Sequence, residues 1–196
     1  MLQKAKIIHS DLKPDNILVD FDYQTQKIKE VKLIDFGSSF MYNNPTGLSV
    51  STPEYLAPEI LDFLENRQSR GSCEDLMACL HPWSFDVWSL GSILLEILTG
   101  CPLWLSLKSR MITAQGKSIM GTGLFGVCGR DGKKILQKQQ QVFGNLPAAL
   151  KKYDSGWLAK DHEYMDLMCR MLDFNPQKRI SPAEIIKHPF VSQASY

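Results

Sequence analysis

Excess charge is the first thing missing. The 22 Lys and Arg residues are nearly matched by 21 Asp and Glu, giving a formal net charge of +1 without a long run of either sign. Neither a nucleic-acid partner nor an anionic membrane surface is implied. Paired cysteines are missing too. Cys73, Cys79, Cys101, Cys128 and Cys169 are odd in number, widely spaced and free of any CxxC pair, which counts against a disulfide framework and a zinc site. Reduced thiols in a cytoplasmic or nuclear, that is intracellular, protein fit better. Cys73, Cys79 and His81 lack a fourth ligand at a familiar spacing. The most hydrophobic stretch, VWSLGSILLEIL, is short and interrupted by Glu96, and the opening MLQKAKIIHSD has no apolar core of signal-peptide length. There is no internal repeat, and the one biased tract, Gln137 to Gln141, falls inside a predicted helix.

What remains is an ordinary globular composition, 44% hydrophobic and 22% charged over 196 residues, enough for one sizeable core. Two short β-branched runs, Ile17 to Val19 and Val31 to Ile34, read as a small hairpin. From Ser38 to Thr52 the chain is rich in Ser, Asn, Pro, Thr and Gly without period, which predicts a long mobile surface segment of the kind that carries function. Ser84 to Thr99 is apolar nearly all round and predicts a buried central helix stopped by Gly100. A second helix is predicted from Asp161 to Phe174, closed by Pro176, and a third begins at Ser181-Pro182, where Glu184 completes a capping box. Arg67 to Pro82 reads as an inserted loop, and Arg110 to Asp131, with five glycines, as irregular. The fold class is mainly α, with the hairpin as a minor partner.

The chemistry concentrates in HSDLKPDN, His9 to Asn16. An Asp can orient a hydroxyl and accept its proton, a Lys can neutralise charge on a transferring phosphoryl group, and Asn and Asp oxygens suit Mg²⁺, which prefers hard ligands. Asp11, Lys13, Asn16 and Asp35 are the candidates, and Gly37 allows a turn beside the last of them.

HSDLKPDN, DFG at Asp35 to Gly37, APE at Ala57 to Glu59, SFDVWSLG at Ser84 to Gly91 and NPQKR at Asn175 to Arg179 together resemble, in order and spacing, the eukaryotic protein kinase catalytic domain. The resemblance covers residues 1–191, with 192–196 as a tail, a catalytic loop at 9–16 and an activation segment at 35–59. It implies a large, C-terminal lobe of kinase type with the hairpin at the catalytic cleft. Asp11 becomes the catalytic base and Lys13 the contact to the transferring phosphate, while Asn16 and Asp35 become the Mg²⁺ ligands. Asp15 and Leu18 line the nucleotide and peptide side of the cleft, and Thr52 bridges Asp11 and Lys13 beneath the acceptor. Lys13 together with STPEYLAPE resembles the serine/threonine kinases, so ATP, Mg²⁺ and a protein substrate with a Ser or Thr acceptor are implied. LIDFGSS and QVFGNLP resemble the CMGC branch, especially its dual-specificity tyrosine-regulated group, although the tyrosine pair of that group's activation loops is missing. In the same frame Asp86 is structural, holding the catalytic-loop backbone, and Glu59 with Arg179 forms a buried ion pair. Trp83, Trp88, Trp104 and Trp157 pack rather than stack on ligands, and His9 is a packed histidine rather than a base.

Two departures stand out. Ser10 occupies a position where many kinases carry an Arg that reads an activation-loop phosphate, and a hydroxyl cannot replace that pairing. Only Met1 to Ile8 precede the catalytic loop, so no Gly-rich loop, third-strand Lys, Glu-bearing helix or hinge stands ahead of it. The expectation is a large lobe whose ATP-covering small lobe is absent and which, alone, transfers phosphate negligibly. Two functions remain: the catalytic part of a protein serine/threonine kinase, or a catalytically incompetent scaffold or decoy that binds partners at the exposed lobe junction.

Overall fold

The computed structural model describes residues 2–45, 52–66, 72–78, 80–99, 108–112, 118–122, 131–153 and 161–193. One helical turn, α1 (Leu2–Ala5), leads into the short strand β1 (Ile7–Ile8). After the catalytic loop comes an antiparallel hairpin of β2 (Ile17–Asp22) and β3 (Lys27–Leu33), longer in both arms than the two apolar runs. The outer arms carry charge at every second position, which hides their alternation from a reading by composition. Asp20 pairs with Glu30 but Phe21 pairs with Ile28, so Lys29 is an extra, bulged residue. Directly paired residues share a face, so Ile17, Val19, Phe21, Ile28, Val31 and Leu33 form one apolar face. Leu18, Asp20, Asp22, Lys27, Glu30 and Lys32 form the other. Strand β4 (Phe40–Met41) then pairs with β1 and ties the segment beyond Gly37 back to the start of the chain.

The core lies on the helical side. Helix α2 (Pro58–Glu65) follows the APE triplet, and α4 (Ser84–Thr99) is the expected buried spine, with Trp88, Ile93 and Leu95 at its centre. Gly91 lets α7 (His162–Met171) approach α4 closely, since a β-carbon there would lie 3.1 Å from atoms of both Met171 and Leu172. Between them in sequence lie α5 (Gly132–Phe143) and α6 (Leu146–Tyr153). Helix α7, expected from Asp161 to Phe174, begins after Asp161, whose side chain caps it by accepting Tyr164 N–H, and stops at Met171. Beyond it the side chains of Asp173 and Asn175 accept the backbone N–H groups of Asn175 and Gln177, turning the chain before Pro176 acts. Ser181 and Glu184 form the full capping box at α8 (Pro182–Lys187), which leads to α9 (Pro189–Ser192).

Arg179 crosses this core. Its Nε, Nη1 and Nη2 make five hydrogen bonds, two to the Glu59 carboxylate, two to the Asp173 carbonyl and one to the Ser84 carbonyl. The guanidinium also lies 5.1 Å from the centre of the Trp88 ring. Every donor of the fork is used, which is what a charge this deeply buried requires.

Two further readings of the sequence are corrected. The stretch Arg67 to Pro82, expected to be loop, contains helix α3 (Cys73–Ala78), started by Ser72, whose backbone N–H and hydroxyl meet the Asp75 carboxylate while its own hydroxyl accepts Asp75 N. Ser72 and Asp75 stand at capping-box spacing, a signal that the surrounding polar residues masked. The stretch Arg110 to Asp131, expected to be irregular, overlaps an antiparallel hairpin, β5 (Lys108–Ile112) with β6 (Ser118–Thr122). Most of the five glycines fall outside the paired residues. Gly100, Trp104, Trp157 and, within the stretches expected from sequence to be loop, residues 46–51, 67–71 and 79 lie outside the described residues.

Candidate active site

The catalytic loop leaves β1 and is fixed at once from below. Asp86, in the first turn of α4, accepts hydrogen bonds from His9 N at 2.9 Å and Ser10 N at 3.0 Å. Burial pushes the Asp86 carboxyl above its usual range, against the pull of those two backbone donors. Ser10 sits in the left-handed region, φ 65°, so the backbone bends sharply between the buried His9 and Asp11. His9 donates Nε2–H to the carbonyl of Ile34, 3.1 Å away, and leans on the Phe36 ring, which makes it packing and not a free base.

Above this loop four of the expected residues converge. Asp11, 8% exposed, accepts Thr52 Oγ1–H at Oδ1 (3.1 Å) and Lys13 Nζ–H at Oδ2 (2.8 Å). Lys13 also donates to Thr52 Oγ1 at 3.1 Å, closing a three-membered ring of contacts. Asn16, buried at the end of the 3₁₀ turn Pro14–Asn16, donates Nδ2–H to the Asp11 carbonyl (2.8 Å) and to Oδ2 (3.3 Å). The other three are exposed: Asp15 beside the turn, Leu18 on the charged face of the hairpin, and Asp35 at the end of the hairpin where Asn16 begins it. The Asn16 carbonyl accepts Ile34 N–H at 3.0 Å, which brings the backbone of the Asp35 turn to the catalytic loop. Asp35 itself is left-handed, φ 58°, and its carboxylate takes one weak bond from Gly37 N at 3.3 Å.

Protein kinase domain is the description of the family model that matches residues 1–191. The chain belongs to the protein kinase family. This kinase chain is 28% identical to the dual specificity tyrosine-phosphorylation-regulated kinase 3 of Rattus norvegicus, over 99% of its own length and 34% of that protein. It is 30% identical to the mitogen-activated protein kinase SLT2/MPK1 of Saccharomyces cerevisiae, over 97% of its length and 36% of the relative. To the mitogen-activated protein kinase MPS1 of Pyricularia oryzae it is 31% identical, over 97% and 42%. These relatives fall in the CMGC branch that its motifs resemble, and the chain spans between about a third and two fifths of their lengths.

Sequence reasoning missed what holds the segment after Thr52. Tyr55 donates its hydroxyl proton to Glu96 Oε2 at 2.5 Å, and the Ser89 hydroxyl donates to the Tyr55 carbonyl at 2.7 Å, so α4 grips that residue twice. Burial, then the Glu96 carboxylate, pushes the Tyr55 hydroxyl far above its ordinary value; it stays a neutral donor. Glu96 was the one charge interrupting an apolar run, and that interruption was the signal available. On the other side of the segment, Gln139 of α5 donates Nε2–H to the Leu56 carbonyl at 2.7 Å.

Proposed function

We propose that the chain is the large lobe of a Mg²⁺/ATP-dependent protein serine/threonine kinase, which moves a phosphoryl group from ATP to Ser or Thr hydroxyls of a protein substrate. The observation that carries this reading is the single Asp11 carboxylate bonded at one oxygen to Thr52 and at the other to Lys13. Asp11 then orients the incoming hydroxyl and takes its proton, Lys13 offsets charge growing on the phosphoryl group, and Thr52 sets the height of the acceptor above both. Asp15 and Leu18 flank the acceptor and nucleotide on the exposed side. Intracellular action, cytoplasmic or nuclear, goes with this reading; no described helix is long and apolar enough to cross a membrane.

The donors at hand suit magnesium. Asn16 turns its amide nitrogen to Asp11, which directs its hard carbonyl oxygen elsewhere, and Asp35 offers a carboxylate held by one weak bond. Among the described residues no three His, Cys, Asp or Glu side chains cluster as a metal cage. Mg²⁺ needs none, since it takes one or two protein oxygens and fills its shell with phosphate and water. When bound, the ion would neutralise phosphate charge. The deciding experiment is Asp11→Asn in the longest coding sequence that contains these residues. Turnover should fall by orders of magnitude with nucleotide affinity kept; turnover near wild type would sink the reading.

A second reading, a partner-binding scaffold, is favoured by one observation. On the apolar face of the β2–β3 hairpin, Val19, Val31 and Ile28 are each more than half exposed, and the face runs into a cavity of about 680 Å³ lined by Leu2, Ile7, Leu12, Ile17, Leu33 and Leu90. A scaffold tolerates Asp11→Asn and Asp35→Ala in cells, whereas an enzyme does not.

A further inference from the structure

The segment Thr52 to Ala57 leads from the contact with Asp11 to helix α2, and it is held at three points by three parts of the molecule. Thr52 is bound by the catalytic loop, Tyr55 by Glu96 and Ser89 of α4, and Leu56 by Gln139 of α5. The third hold is the unusual one. Gln139 is 0% exposed, its amide nitrogen gives a short bond to a carbonyl 83 residues away, and its Oε1 has no hydrogen-bond partner among the described residues. Burying an amide with an orphaned oxygen costs stability that an aliphatic side chain of equal size would not cost. The half that is bonded is therefore where its use lies. The Leu56 carbonyl stands just before the start of α2, at Ala57, and is itself buried; Gln139 is its partner in place of a helix donor.

Helix α5 is well placed to act as a strut. Its first residue, Gly132, donates N–H to the Glu65 carboxylate at the far end of α2, 2.8 Å away, and a β-carbon on Gly132 would collide with that side chain. Glu65 closes α2 and Leu56 precedes it, while Gly132 opens α5 and Gln139 lies two turns on. The two helices therefore run antiparallel, bonded at both ends. We infer that Gln139 is a positioning residue for the proposed transfer reaction: through Leu56 it fixes the segment on which the substrate's acceptor strand rests, and so sets substrate affinity without touching substrate. This rests on the kinase reading above.

The test is Gln139→Met, which keeps length and volume and removes the donor, with Gln139→Asn as a second variant that keeps the amide one carbon shorter. Amide hydrogen exchange is measured in the chain itself. Tyr55 and Leu56 should exchange about tenfold faster in Gln139→Met, the weight of one buried hydrogen bond, with amides of α4 and α7 unchanged and Gln139→Asn in between. In the longest coding sequence containing the chain, the KM for dephosphorylated casein should rise about tenfold, with the KM for ATP and kcat held within twofold. Unchanged exchange at Tyr55 and Leu56 overturns the clamp, and faster exchange everywhere reduces Gln139 to a core residue. Local loosening with an unchanged casein KM overturns the positioning role alone. Absence of any transfer by the unsubstituted protein overturns the kinase reading instead, and the exchange data still decide whether the clamp exists.

Discussion

Asp11 and Asp35 are proposed to serve one cleft, yet the protein builds around them differently. Asp11 is buried, bonded to Lys13, Thr52 and Asn16, and sits on a loop whose backbone is pinned by Asp86. Asp35 is exposed, in a left-handed turn, and receives one weak bond from Gly37, two residues along. In the proposed reading the difference separates two tasks. A proton acceptor must already point correctly when substrate arrives, because misplacement costs rate directly. A ligand for a hydrated cation gains its order from the charge it binds, and an unliganded carboxylate is cheaper to keep in water than in a core.

Arg179→Ala should cut deepest into the ordered half. It strips Glu59 of its partner at the end of the acceptor-side segment, and the loss should be about 3–5 kcal/mol of unfolding free energy, read by urea denaturation; a loss under 1 kcal/mol would show that water relieves the site. Asp11→Asn comes next, with turnover reduced about 10²–10⁴-fold while the urea midpoint barely moves, because shape and most donors are kept. Asp35→Ala should leave stability within about 0.5 kcal/mol yet weaken Mg²⁺-dependent nucleotide binding at least tenfold by calorimetry. Should Asp35→Ala instead destabilise the fold, the contrast between the two aspartates fails. The smallest effect concerns α5. Its cap, Asp131, has a carboxyl held below the usual range by the backbone N–H of Lys134. Its contribution is therefore complete above the unfolded-state value of about 4 and is lost as pH falls through the depressed folded value. Hydrogen exchange of the first α5 amides should quicken over that window, while the Asp131→Asn variant, which does not titrate, should show no such step.

The spine helix and the capping box at Ser181 were legible because each depends on local spacing, and the Glu59–Arg179 pair, far apart in sequence, was legible through the motifs that carry the resemblance. The meeting of Asp11, Lys13 and Thr52 was legible through resemblance, since nothing in the spacing of residues 11 and 52 brings them together. Gln139 and the Tyr55–Glu96 bond were not legible. A glutamine in a Gln-rich stretch looks like surface, and only the packing of α5 against α2 turns one of those side chains inward. The β5–β6 hairpin and α3 were hidden by composition, where a glycine count and a run of polar residues outweighed short ordered pieces within them.

The hairpin bulge has an arithmetic of its own. Along β3 the apolar residues Ile28, Val31 and Leu33 are separated first by an odd step and then by an even one, and a regular strand can keep only even steps on one side. Lys29, unmatched on the opposite strand, absorbs the odd step and restores parity, so that Ile28 lies beside Phe21 and not beside Asp22. Parity makes insertion and deletion unequal to substitution here. Removing either Lys29 or Glu30 would make the odd step even, straighten the ribbon and leave every apolar side chain on its present side, whereas removing Lys32 would make the Val31–Leu33 step odd and oblige either the inner or the outer arm to turn over. In this ribbon, length errors are judged by whether they are odd or even and by where they fall, before the identity of any side chain matters.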